Sequence, residues 1–271
     1  MPVVLISRGT MSGVALLVDR LCEQTGIRRV SREHLVELVN RHGELARRVV
    51  EQMSHATREY EDFCELRRPY LILMRAALLE YAVSGDLIYE GFSGHLLVPR
   101  VTHFRTVRIH APVEMRVDMT MDRLGCDADE ARQYIERDDE DRVRWARFMY
   151  GQDIRDPSLY DVCINLQRMS INSASKIVQG LIEDPECQVT PESQAAVQGA
   201  LVAARVEAAL VTDPRTEAIE AGAQVSNGRV IVTGPYIDET RHAVVLELAR
   251  GVDGVSEVEY RYGFLPAFAG A

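Results

Sequence analysis

Residues 6–21 read ISRGTMSGVALLVDRL, directly after the apolar run Val3-Val4-Leu5. A hydrophobic strand, a turn of small residues and then a helical stretch open a βα unit. Such a turn presents backbone N–H groups at a helix N-terminus, where unpaired donors and the helix dipole attract anions. A polyphosphate loop of the usual kind also places Gly-Lys-Ser/Thr at the helix start, so that the ammonium reaches the outer phosphates. Here Gly13 is followed by Val14 and Ala15. Two readings therefore stand: a phosphate turn without its lysine, or an ordinary βα turn whose glycines only permit tight packing.

The rest of the chain sharpens the question. Its 271 residues hold 31 lysines and arginines, and Lys176 is the only lysine. Any phosphate held near residues 9–15 must be met by guanidinium groups, backbone donors or metal. Arginine suits bidentate oxyanion contact but does not copy lysine's geometry. The net charge of −10 excludes a general basic field for nucleic acid or anionic membrane. The five cysteines are scattered and lack CxxC spacing, which fits reduced thiols rather than a disulfide frame or a zinc site. The chain starts straight into a strand, and no apolar stretch approaches the ~20 residues of a membrane span. A cytoplasmic protein without a transmembrane segment is expected.

Strands are expected at Val3–Ser7, Asp86–Gly91, Arg105–Ala111 and Tyr160–Leu166, with a fifth near Arg28–Val30. Helices are expected after Ser31, over 43–62 and 67–83, from Pro112 to Gly125, and over Asp127–Tyr150. Alternation of strands and helices over residues 1–184 predicts an α/β fold, a parallel sheet with flanking helices. Composition then shifts. Pro185 and Pro191 bracket a polar connector, and residues 192–210 read as an alanine-rich helix. Asn227-Gly228 marks a hairpin between Glu217–Ser226 and Arg229–Gly234. A helix at Glu239–Arg250 and a strand at Val255–Tyr262 complete a small α+β unit of order α-β-β-α-β. The expected domains are 1–188 and 189–271.

Two resemblances follow from these motifs. Residues 1–184 resemble the cytidylate-kinase-like family of P-loop nucleoside monophosphate kinases. The likeness rests on Ile6-Ser7-Arg8 with Ser12-Gly13, and on a lid helix spaced as Ile135, Asp139, Arg142, Trp145 and Gly151. It extends to the closing strand Asp156–Asn165 and to Met169-Ser170-Ile171. The resemblance implies catalytic roles for Arg8, Asp139 and Arg142. It implies phosphate or nucleotide binding by Gly9, Ser12, Gly13, Arg32 and Arg137, with ATP, CMP or a similar nucleotide as ligand and Mg²⁺ as cofactor. Residues 193–262 resemble a BON domain through Val225-x-Asn227-Gly228-x-Val230-x-Val232-x-Gly234 and Gly251-Val252-x-Gly254-Val255-x-x-Val258. That implies a ligand-sensing or assembly module.

Three stretches depart from the kinase-like pattern. Val14 and Ala15 stand where glycine and arginine usually follow Ser-Gly. Phe92 stands in Gly91-Phe92-Ser93-Gly94, where Gly-Arg-Gly would offer a clamp for the acceptor phosphate. Ser31-Arg32 keeps the arginine of an Asp-Arg pair without its acid. A transferase acting on a nucleoside monophosphate and a non-catalytic nucleotide-responsive or assembly protein both remain open. Arg137, Arg144 and Arg147 share one helical face, and Asp138, Asp139 and Asp141 are interleaved with them, a pattern that also suits a solvated helix. His95, His103 and His110 lack ligand spacing, and no metal site is expected in the chain itself. A small sheet with an uncovered face and an open edge predicts a homodimer.

Overall fold

The computed structural model describes residues 2–55, 64–226 and 229–264. Five strands form a wholly parallel sheet: β1 (Val3–Arg8), β2 (Arg28–Ser31), β3 (Leu87–Gly91), β4 (Phe104–His110) and β5 (Val162–Asn165), in the order β2-β3-β1-β4-β5. Strands of such a sheet are covered on both faces and so read as apolar runs. β1 is the central strand, and its Val3–Ile6 are almost fully buried.

Alternate residues of the sheet meet the helices α1 (Val14–Thr25) and α7 (Ile171–Glu183). Val4, Ile6, Ile88, Val107, Ile109 and Ile164 pack there against Leu17, Val18, Leu21, Ala174 and Val178. Ser7, Gly91 and Arg108 stand in register on the opposite face. α5 (Val113–Leu124) follows Pro112, and α6 (Ala128–Tyr150) begins at Asp127. There the Asp127 side chain accepts from the Asp129 and Glu130 amides while Glu130 reaches back to the Asp127 amide, a reciprocal cap.

α2 (Arg32–Val39), α3 (Glu44–His55) and α4 (Cys64–Val83) lie between β2 and β3 in sequence. A second sheet follows, of order β6-β7-β8: β6 (Gly222–Ser226), β7 (Arg229–Gly234) and β8 (Glu257–Tyr262). β6 and β7 are antiparallel and β7 and β8 parallel. One face of this sheet, with Ala223, Val230 and Val232, closes on α8 (Pro191–Thr212) and α9 (Glu239–Arg250) through Val206, Leu210, Val245 and Ala249. The order α-β-β-α-β is that expected.

The chain forms two compact units: residues 1–32, 85–96 and 102–190, and residues 33–84, 97–101 and 191–271. The expected boundary near 188 lies close to the passage at Thr190–Pro191. The second unit also takes α3, α4 and most of α2, which composition alone had grouped with the first sheet. In that unit α4 packs along α8, and Arg205 donates to Glu80 at 2.7 Å.

Some local expectations are corrected. The strand expected from Glu217 begins only at Gly222, because residues 213–221 turn: the Asp213 carbonyl accepts from Thr216 and Glu217, and the Thr216 carbonyl from Ile219. The polar connector after Pro185 includes Cys187, which is fully buried. By length and composition alone residues 185–212 could cross a membrane, longer and more apolar than the sequence reading had it, and half of their most apolar segment is buried within the protein. The Asn227-Gly228 turn and residues 56–62 of the helix expected over 43–62 lie outside the described residues.

Candidate functional site

The loop Gly9–Gly13 leaves the carboxyl end of β1 and enters α1. β1 stands between β3 and β4, connected in opposite directions, so the loop sits at the point where such sheets form their ligand crevice. Gly13 caps α1 at φ 72°, and no side chain caps the helix. A Cβ at Gly13 would stand 3.0 Å from Met115 Cε and 3.5 Å from Ile171 Cδ1. Glycine is needed here for both its backbone angle and its size. Met11 is also left-handed, at φ 50°. Val14 turns into the core and so does not fill the loop from within.

Ser12 is 2 % exposed, and its hydroxyl has no hydrogen-bond partner among the described residues. An orphaned buried hydroxyl costs free energy that a ligand oxygen can recover. This observation fits a polyphosphate at the head of α1.

What covers the loop comes from α5 and α6. Arg116 Nε donates to the Thr10 carbonyl at 2.6 Å, and its guanidinium lies against Gly9, 3.8 Å from a Cβ position there. Arg116 Nη2 also holds Asp139 Oδ2 at 2.7 Å. The other oxygen of Asp139 accepts the Thr10 backbone N–H at 3.3 Å. Asp138 accepts the Thr10 hydroxyl and is paired with Arg142 Nε at 2.6 Å. Two carboxylates thus stand on loop donors, where a phosphate's oxygens would bind.

The expected site residues divide accordingly. Gly9, Ser12 and Gly13 form the loop, and Asp139 and Arg142 are joined to it. The Arg142 guanidinium also lies 5.5 Å over the Phe92 ring. Arg8 does not stand in for the missing lysine in this structure. Its Nε pairs with buried Glu90 at 3.2 Å, and Glu90 also binds Arg29, which holds Asp19 at 2.6 Å. Opposite charges at the strand ends draw Arg8 to the β3 side. Arg32 opens α2 beyond the edge strand β2, separated from β1 by β3. Arg137 is exposed and makes no ion pair among the described residues. Arg144 and Arg147 pair outward with Asp141 and Asp153. Their face of α6 is a solvated one.

Sequence reasoning passed over Thr10, Arg116 and Arg108, and named Asp138 only among the interleaved charges of α6. Arg116 follows Pro112 by one helical turn, which points it back at the strand end. That signal was available from the Pro112 helix start. Arg108 is 8 % exposed on β4, and its Nη1 donates to Ser7 Oγ at 2.8 Å. His110, two residues on, is held below the ordinary histidine range, first by burial and then by Arg108 and Arg116.

A parallel sheet of this order, with a glycine-lined turn leaving its central strand, defines the P-loop kinase fold. A model of the Cytidylate kinase-like family matches residues 3–168, and the chain belongs to that family. It is 25% identical over 180 residues to a cytidylate kinase of Methanopyrus kandleri, covering 64% of this chain and 88% of the relative. It is 25% identical over 182 residues to a cytidylate kinase of Pyrococcus horikoshii, covering 67% and 88%. An uncharacterized protein from Eubacterium ventriosum shares the fold at a TM-score of 0.51 and 17% identity, over 68% of this chain and 99% of that one.

Proposed function

We propose that the chain is a nucleoside monophosphate kinase of the cytidylate kinase-like type, working with a phosphate loop that has lost its lysine. The observation that supports this best is the orphaned Ser12 hydroxyl at the head of α1, inside a glycine-lined turn at the sheet's switch point. Phosphoryl transfer asks a protein chiefly for positioning and for charge around the transferred group. Gly9, Ser12 and Gly13 would cradle the donor's phosphates, while Arg116 and Arg142, on α5 and α6, bring positive charge over the loop. Asp138 and Asp139 now hold those arginines, and the incoming phosphates take the carboxylates' place on the Thr10 donors.

Among the described residues no group of three His, Cys, Asp or Glu side chains forms a metal cluster. Mg²⁺ typically keeps several waters and binds substrate phosphates with few protein ligands, so the Ser12 hydroxyl is the candidate to meet it. When bound, the ion would supply positive charge to offset that of the donor phosphates. The relatives' names make CMP the first acceptor to test.

A second reading is favoured by the Asp139 contact to the Thr10 amide: a non-catalytic nucleotide-responsive protein whose loop is closed by its own lid helix. The C-terminal α-β-β-α-β unit is then proposed as a BON-like module for ligand or partner binding, and the whole chain as a cytoplasmic homodimer. The experiment is formation of ADP from Mg·ATP with CMP, UMP, AMP or GMP, beside calorimetric titration of ATP alone. Acceptor-dependent ADP supports the kinase. ATP binding without it supports the second reading, and absence of both would overturn the two together.

A further inference from the structure

Arg108 is a buried cation without a counter-ion among the described residues. The guanidinium sits on the carboxyl half of β4, in register with Ser7 on β1, on the sheet face turned away from α1 and α7. It makes no ion pair with any described carboxylate. Nη1 donates to Ser7 Oγ; Ser7 Oγ in turn donates to the Phe92 carbonyl at 2.8 Å. Tyr160 lies beside the pair, its ring 5.7 Å from the guanidinium carbon and its hydroxyl donating to the Ile154 carbonyl at 2.8 Å. His95 stacks on Tyr160 with centroids 4.7 Å apart. The Ser7 and Tyr160 hydroxyls are thus taken up by backbone carbonyls. The buried Nε of Arg108 has no partner among the described residues, whereas the guanidinium bonds on its other side to Ser7 and to the Tyr160 hydroxyl.

That arrangement is costly unless something anionic completes it. Removing a charge from water without pairing it is penalised by several kcal/mol. The donor left open is Nε, on the side of a guanidinium from which an oxyanion is gripped by charge-assisted hydrogen bonds. Its location also matters. Ser7 is two residues before Gly9, so the open donor stands one strand from the start of the phosphate loop. Phe92 lies between Arg108's partner Ser7 and the Arg142 guanidinium, and contributes no charge of its own.

We infer that Arg108 is the acceptor clamp: its guanidinium, through the unpartnered Nε, binds the phosphate of a phosphomonoester acceptor, supplying from β4 the positive charge that residue 92 lacks. This rests on the kinase reading of the loop. It assigns the acceptor to the crevice between Phe92 and Tyr160, with Ser7 fixing the guanidinium plane and Tyr160 covering it.

The test uses the full chain, wild type and with Arg108→Met or Arg108→Lys, titrated calorimetrically with ATP, with CMP, UMP, AMP and GMP, and with the matching nucleosides. Wild type should bind at least one monophosphate tenfold or more tighter than its nucleoside. Arg108→Met should erase that difference and leave ATP affinity within twofold, and Arg108→Lys should restore part of it. Equal monophosphate affinity in wild type and Arg108→Met overturns the clamp while leaving the kinase reading intact. A wild type that binds ATP but none of the four monophosphates overturns it as well. A wild type that binds neither ends both. Should Arg108→Met fail to fold by circular dichroism, the ¹⁵Nε resonance of Arg108 in wild type decides: a shift with monophosphate and not with nucleoside is expected, and no shift refutes the assignment.

Discussion

The carboxylate of Asp139 accepts the backbone N–H of Thr10 at 3.3 Å, across 129 residues of sequence. The lid helix α6 therefore lays a negative group on its own phosphate loop. Arg116 fastens the arrangement by binding Asp139 and the Thr10 carbonyl together. In the proposed kinase, nucleotide phosphates would compete with this carboxylate for the same amide.

Asp139→Asn should consequently tighten ATP binding by about 5–10-fold, the equivalent of roughly 1–1.4 kcal/mol for one charge-assisted contact no longer displaced. Arg116 gains freedom to meet phosphate in the same variant. Calorimetric titration of ATP checks this. Weaker binding would mean that Asp139 helps to hold the nucleotide and does not exclude it.

Ser12 and Gly13 separate stability from binding. Ser12→Ala removes a hydroxyl that has no partner, so the melting temperature should hold or rise slightly while ATP affinity falls several-fold. Gly13→Ala forces a left-handed angle on a residue with a Cβ and drives that Cβ against Met115. It should lose about 1–2 kcal/mol, or roughly 2–6 °C in melting temperature. Thermal melts of the two variants side by side distinguish a binding residue from a backbone one.

The scaffold was legible because physics writes it locally. A central parallel strand must be apolar throughout, and Val3-Val4-Leu5-Ile6 is; helix ends are marked by Asp127 with Glu130 and by Gly125 and Gly151. The weak strand β2 showed only as a hint, since just four residues take part and Val30 alone is deeply buried. The loop itself could be read, but its occupants could not. Arg116 and Asp138 reach Thr10 from helices 106 and 128 residues away in sequence, and no spacing rule connects them. Arg108 looked like any solvated residue alternating with Val107 and Ile109, and burial alone reveals it. Arg8 misled because its motif position is right while Glu90 decides its direction.

Glu207 gives the second unit a pH dependence. It is buried on α8, accepts the Ala223 amide of β6 at 2.9 Å, and faces Arg75 and Arg68. Burial pushes its carboxyl above the ordinary range, against the smaller opposing effects of the Ala223 amide and the two arginines. A folded pKa above the unfolded one means that its contribution is full below the unfolded value, near 4.5, and is lost as pH rises through the folded value. Stability should therefore fall on that side of the scale. Glu207→Gln should flatten the fall and melt about 2–4 °C higher than wild type at pH 8, for roughly 1 kcal/mol. Melting curves from pH 4.5 to 8.5 check it, and a wild type that gains stability with pH would refute it.

The last prediction concerns association. The face of the small sheet away from α8 and α9 carries Gln224, Arg229, Ile231 and Thr233, and β8 is an edge strand paired on one side only. Beyond its end stands an aromatic ledge: Tyr236 is 84% exposed and Tyr262 59%, with ring centroids 5.3 Å apart. Tyr260 anchors the ledge from beneath, donating its hydroxyl to the Pro235 carbonyl at 2.7 Å. Exposed aromatic surface beside an open strand edge is the composition of an interface rather than of a solvated rim. The full chain should scatter light as a dimer at micromolar concentration. Tyr236→Ser combined with Tyr262→Ser should halve the measured mass and leave ATP affinity unchanged, because neither residue belongs to the loop. A wild type that stays monomeric as concentration rises a hundredfold would leave the ledge to a ligand instead of a second copy.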